Sequence, residues 1–114
     1  MLKPVQHDNC FMKIITLFLT CIDEMEAEDI SNVLLKKKLV VCIKKTKVKS
    51  SFLYQGKIDE ANEVLLVMDS VEEKFDRIEK EVRKIHSYET FVLLATPVIR
   101  SSKGVKEWIK SELK

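Results

Sequence analysis

The chemically sharp groups of this 114-residue chain are sulfur and imidazole: Cys10, Cys21 and Cys42, with His7 and His86. The cysteines stand eleven and twenty-one residues apart and form no CxxC pair. An odd, scattered set argues against a disulfide framework or a structural zinc site, and for free thiols in a reducing cytoplasm. Cys42, flanked by Val41 and Ile43, reads as core. Cys21 ends an apolar run, so it is either a small buried hydrophobe or, with His86 as base, a nucleophile. The second role needs the two within about 2.6–3.2 Å. His86 closes an amphipathic pattern, where an imidazole interacts favourably with a helix C-terminus. Tyr88 and Glu89 follow it at once and, with Lys57, offer the makings of a polar pocket. The lysine-rich stretch Lys44 to Lys49 reads as a protected edge strand. The aromatic and basic interleaving of an RNA-binding sheet is absent from it.

Something must position these groups. Hydrophobic residues make up 46% of the chain and charged residues 33%, with only two Gly and two Pro, which describes one compact domain. Twenty Lys and Arg against eighteen Asp and Glu leave a net charge of +2, so the balance points to neither nucleic acid nor a membrane as partner. The longest apolar run, Ile14 to Ile22, is about half of a membrane span. Lys13 precedes it as in a signal peptide, but the acidic series from Asp23 to Asp29 follows where a cleavage site belongs. Residues 1–11 read as a loose leader, and 12–114 as the domain.

The hydrophobic period then switches repeatedly. Lys13 to Cys21 fits a strand covered on both faces. Asp23 with Glu26 makes a capping box for a first helix whose apolar face is Ala27, Ile30, Val33 and Leu34. Leu39 to Gln55 and Val64 to Met68 predict a long antiparallel hairpin about a polar turn. Ser70 with Glu73 repeats the capping signal, and Phe75, Ile78, Val82 and Ile85 mark a second helix. Thr90 to Ile99 predicts a fourth strand, with Pro97 placing it at an edge or bulge. Val105, Trp108 and Ile109 suggest a terminal helix. The order is β-α-β-β-α-β with a helical tail, an α+β, ferredoxin-like sandwich. Such a sheet leaves one face uncovered, and a long second strand protrudes; oligomerisation explains both.

Several separated motifs then agree in one register. They are Leu19-Thr20-Cys21 before an acidic helix, Val40-Val41-Cys42-Ile43, Ser51-Phe52-Leu53-Tyr54-Gln55-Gly56-Lys57-Ile58, His86-Ser87-Tyr88-Glu89 and Ala95-Thr96-Pro97-Val98, with Trp108 near the end. In these the chain resembles the CutA family, the divalent-cation tolerance proteins, from about Lys13 to its last residues.

The resemblance implies a trimer of ferredoxin-like subunits similar to the PII signalling proteins, with the hairpins pairing across subunit boundaries. It implies binding of copper and other divalent cations, requires no resident cofactor, and implies no enzymatic reaction. Cys21 and His86 match the family's Cys and His at a cleft between subunits, with Glu89 as an auxiliary ligand and Lys57, Tyr54 and Tyr88 as pocket residues. The family pattern reads roughly His-Pro-Tyr-Glu-x-Pro-Glu, where this chain has His86-Ser87-Tyr88-Glu89-Thr90-Phe91-Val92. Ser87 and Phe91 thus replace prolines, and Val92 stands in place of a carboxylate. A PII-like sensor of a small anionic ligand, held through Lys57, is the alternative reading; the lack of a glycine-rich phosphate loop weighs against it.

Overall fold

The computed structural model describes residues 12–113, so the expectation of a loose leader over residues 1–11 lies outside the described residues. Among the described residues four strands and three α-helices follow in the order β1 (Ile14–Cys21), α1 (Glu24–Lys36), β2 (Cys42–Tyr54), β3 (Lys57–Val71), a 3₁₀ turn (Glu72–Lys74), α2 (Phe75–Ile85), β4 (Leu93–Pro97) and α3 (Val105–Glu112). The strands form one antiparallel sheet in the order β2-β3-β1-β4.

Alternation along the central strands decides what covers each face. Ile15, Leu17, Leu19 and Cys21 of β1 lie beside Ser70, Met68, Leu66 and Val64 of β3, and all eight are buried. Ala27, Ile30 and Leu34 from α1 and Ile78 and Val82 from α2 close over the apolar members of this set in one cluster. Each Val, Leu, Ile or Met side chain among them, fully buried, contributes about 1.5–3 kcal/mol. The other face carries half-buried Thr16, Phe18, Thr20, Leu65, Val67 and Asp69. At its end Ile14 and Val71 pack with Ile109 and Leu113, so α3 caps one corner.

Local chemistry sets the boundaries. Asp23 is the N-cap of α1, its Oδ1 accepting from the Glu26 amide at 2.9 Å. The far end closes in a Schellman motif, with Lys38 N–H on the Leu35 carbonyl and Leu39 N–H on that of Leu34. Lys38 takes φ +57 there, the left-handed position that glycine usually fills. This turn delays β2, which the sequence predicts from Leu39 and which starts at Cys42. Leu39 and Val40 are buried before the strand begins.

Ser70 does not cap a helix. It lies inside β3, fully buried, with its hydroxyl donating to the Leu39 carbonyl. A 3₁₀ turn precedes α2 instead, without a side-chain cap. The fourth strand is also shorter than Thr90 to Ile99, because the chain between α2 and Leu93 is occupied with the interactions described below. Pro97 ends it on an edge strand, as its missing N–H requires.

The hairpin is the most extended feature. Gln55 and Gly56, both at positive φ, make the two-residue turn whose twist suits antiparallel strands. β1 pairs with β3 only from Val64 onward. Residues Lys57 to Glu63 therefore pair with β2 alone, as a two-stranded ribbon of roughly 23 Å at 3.3 Å per residue. The radius of gyration is 16.1 Å, against about 13 Å for a compact domain of this length. The ribbon accounts for that excess.

Candidate metal centre

β1, the first turn of α1 and the end of α2 converge at one point, the helix-covered end of the sheet. Cys21 is the last residue of β1 and points inward by alternation, with no exposed surface. His86 follows α2, its amide still bonded to the Val82 carbonyl, and its side chain has 0% exposure. Glu26 lies in the first turn of α1 and is 8% exposed. One sulfur, one carboxylate oxygen and one imidazole nitrogen from these three residues all lie within 4.8 Å of one another.

Hydrogen bonds fix the carboxylate and the imidazole. Glu26 Oε2 accepts from the Ile22 amide at 2.9 Å, and Oε1 from the Ser87 amide at 2.6 Å. A carboxylate offers about four lone-pair sites, so each oxygen retains one. His86 Nδ1 accepts from the Tyr88 amide at 3.1 Å, which leaves the proton on Nε2 to be donated to the Thr20 carbonyl at 2.8 Å. The imidazole is thus held in a single tautomer, with Nε2 3.5 Å from Glu26 Oε2. Tyr88 directs its hydroxyl to Glu63 Oε2 at 3.3 Å, and its own pKa is raised by burial and by the Glu63 charge.

Burial pushes the Cys21 thiol up to about 12, with the charges of Glu26, Glu63 and Asp23 adding to the effect. At neutral pH the thiolate fraction is then roughly one part in 10⁵. Such a group is a poor nucleophile, which removes the main support for a thiol enzyme. As a donor set, however, one sulfur, one imidazole and one carboxylate suit copper or zinc. A metal would supply the charge that drives the thiol proton off, and whichever imidazole nitrogen it took would release a backbone partner.

Cys21 and His86, the two ligands expected from sequence, are brought together. The carboxylate that joins them is Glu26 and not Glu89. Glu89 is exposed and outside the group, its backbone carbonyl accepting from Arg83 Nη1 at 3.2 Å. Val92 is 55% exposed and also stands apart. Of the pocket residues, Tyr88 lies beside His86, with ring centroids 5.2 Å apart. Tyr54 and Lys57 face each other across the tip of the hairpin. Within the chain that tip is roughly 23 Å along β3 from Val64, the strand partner of Cys21. Cys42 is half-buried and takes no part. Sequence reasoning gave Glu26 only its capping role, in which the carboxylate turns back to the N-cap amide; here it reaches one residue further, to Ile22 beside Cys21.

A cleft of about 510 Å³ adjoins this point, with Asp23, Glu24 and Glu63 set against Lys47 and Lys49. Three carboxylates against two ammonium groups do not favour an anionic ligand.

The sequence model of the family described as CutA1 divalent ion tolerance protein matches residues 15–112. The chain belongs to this family. It is 37% identical to the divalent-cation tolerance protein CutA of Archaeoglobus fulgidus over 93 residues, 82% of this chain and 91% of that protein. The solved structure described as the periplasmic divalent cation tolerance protein CutA of the same organism superposes with a TM-score of 0.86 at 34% identity, covering 89% of this chain and 99% of that one. The CutA homolog of Xenopus laevis is 27% identical over 81% of this chain, which spans 62% of its length. The family is described by ion tolerance and not by a reaction.

Proposed function

We propose that this protein is a copper-binding or zinc-binding member of the divalent-cation tolerance proteins, built as a PII-like trimer of ferredoxin-like protomers and working in the reducing cytoplasm. Cys21, His86 and Glu26 hold the ion, with Glu26 taking the role that the sequence suggested for Glu89. The observation that carries this reading is the approach of three different donor atoms, from three separate elements, to within 4.8 Å of one another. Family membership supports it, since tolerance of divalent ions requires a protein that meets them.

The trimer rests on the hairpin. An isolated two-stranded ribbon is marginally stable in water, and this one exposes Leu53 at 79%, Tyr54 at 60% and Ile58 at 80%. A second and a third copy would cover those side chains and pair the free edge of β2.

Calorimetric titration of zinc and of copper into the reduced protein, with sedimentation alongside, tests both parts. The expected result is binding that disappears in the Cys21→Ser, His86→Ala double variant, persists in Glu89→Gln, and occurs in a particle of three chains. Binding unchanged in the double variant would contradict the site, and a monomer at micromolar concentration would contradict the assembly.

A further inference from the structure

The segment between α2 and β4 has no regular backbone from His86 to Val92, yet the imidazole it carries is held on its edge and on its face. Its nitrogens are engaged by Tyr88 N–H and the Thr20 carbonyl. On the face, the Phe91 ring is stacked at 5.1 Å between centroids and 25° between planes. Phe91 is held in turn by Arg83, whose guanidinium lies 4.6 Å from the centre of its ring. Arg83 projects from the last turn of α2, where Glu79 Oε2 fixes it at 3.1 Å. It also donates to the Glu89 carbonyl at 3.2 Å, tying the loop two residues before Phe91. An ordered series of side chains thus runs from the helix through Arg83 and Phe91 to His86.

We propose that Phe91, held by Arg83, is a positioning residue for His86. It packs on the face of the imidazole and keeps the ring turned toward Cys21 and Glu26, while the Tyr88 amide and the Thr20 carbonyl hold its edge. Interactions just outside a ligand shell typically change metal affinity by about 10–100-fold when they are removed. The metal part of this inference rests on the function proposed above; the positioning part does not. A residue that only fills space would be replaced well by another apolar side chain, whereas a stacking residue would be replaced well only by an aromatic one.

The experiment compares the wild type with Phe91→Leu, Phe91→Tyr and Arg83→Gln, the last being a change at an exposed position that leaves the ring in place and keeps the test available if Phe91→Leu does not fold. Two quantities are read: zinc affinity, and the imidazole nitrogen and ring-proton NMR signals of His86 in metal-free protein, where His7 is the only other histidine. The expected result for Phe91→Leu is about a 10–100-fold loss of affinity together with loss of the single Nε2-protonated tautomer. Phe91→Tyr should retain both, and Arg83→Gln should shift both in the direction of Phe91→Leu. Wild-type affinity and an unchanged His86 tautomer in both Phe91→Leu and Arg83→Gln would overturn the proposal. If the wild type binds no zinc, the metal reading fails alone, and the His86 signals of the variants still decide the positioning role.

Discussion

Cys21 illustrates how burial overrides residue type. A thiol is ordinarily the most reactive side chain of a protein, but here it faces inward at 0% exposure and its pKa is pushed up from 9.0 to about 12, first by burial and then by Glu26, Glu63 and Asp23. The consequence for stability has a definite sign. The folded state holds the thiol proton more tightly than the unfolded state, so its contribution is fully present below pH 9 and is lost between pH 9 and about 12, by up to about 1.4 kcal/mol per pH unit. The advantage of the metal-free wild type over Cys21→Ala, measured by urea unfolding, should therefore shrink across that window. A difference that stays constant from pH 8 to 11 would contradict the elevated pKa. The sequence offered Cys21 either as a small buried hydrophobe or as a reactive group; its raised pKa was not legible, because it depends first on the depth of burial and then on charges such as Glu63 of β3 that only folding brings near.

At the scale of elements, the informative comparison is between the two capping signals. Asp23 caps α1 as the sequence predicts, whereas the Glu26 carboxylate accepts from the Ile22 amide and joins the first turn of α1 to the loop after α2 by accepting from Ser87. Ser70 and Glu73 carry the same signature and form no cap, because Ser70 alternates into the core and its hydroxyl is taken by Leu39. A local pattern decides the outcome only where tertiary packing leaves the side chain free to follow it. Strand and helix order, the hairpin and the apolar faces were legible because they repeat over many residues; the Glu26 bridge was not, since its partner lies 61 residues away. Removing this bridge leaves the Ile22 and Ser87 amides without their acceptor, and hydrogen bonds to a charged group contribute about 1.5–3 kcal/mol each. Glu26→Ala should accordingly destabilise the metal-free protein by about 3–6 kcal/mol at a fixed protein concentration, and Glu26→Gln, which keeps one acceptor oxygen, by less. A loss under about 0.5 kcal/mol for Glu26→Ala, typical of a surface change, would show that the bridge does not tie the two elements together.

The whole molecule is longer than its core requires, with extents of 58 × 27 × 22 Å. The helix-covered face of the sheet forms the core and brings Cys21, Glu26 and His86 together, while the ribbon extends away with its apolar tip uncovered. This division matches the two halves of the proposal: a site complete in donor atoms within one chain, and an assembly that covers what one chain cannot. The lysines of β2 fit that arrangement. Lys45 turns to the helix side, where Glu28 and Glu24 hold it and raise its pKa, and Lys49 pairs with Glu60 along the ribbon. The central claim is that sulfur, imidazole and carboxylate from this convergence surround one ion. X-ray absorption at the zinc edge of the zinc-loaded, reduced protein tests it most directly. The prediction is one sulfur neighbour at about 2.3 Å among nitrogen and oxygen neighbours at about 2.0–2.2 Å, with the sulfur absent in Cys21→Ser. A shell of nitrogen and oxygen alone in the wild type would contradict it.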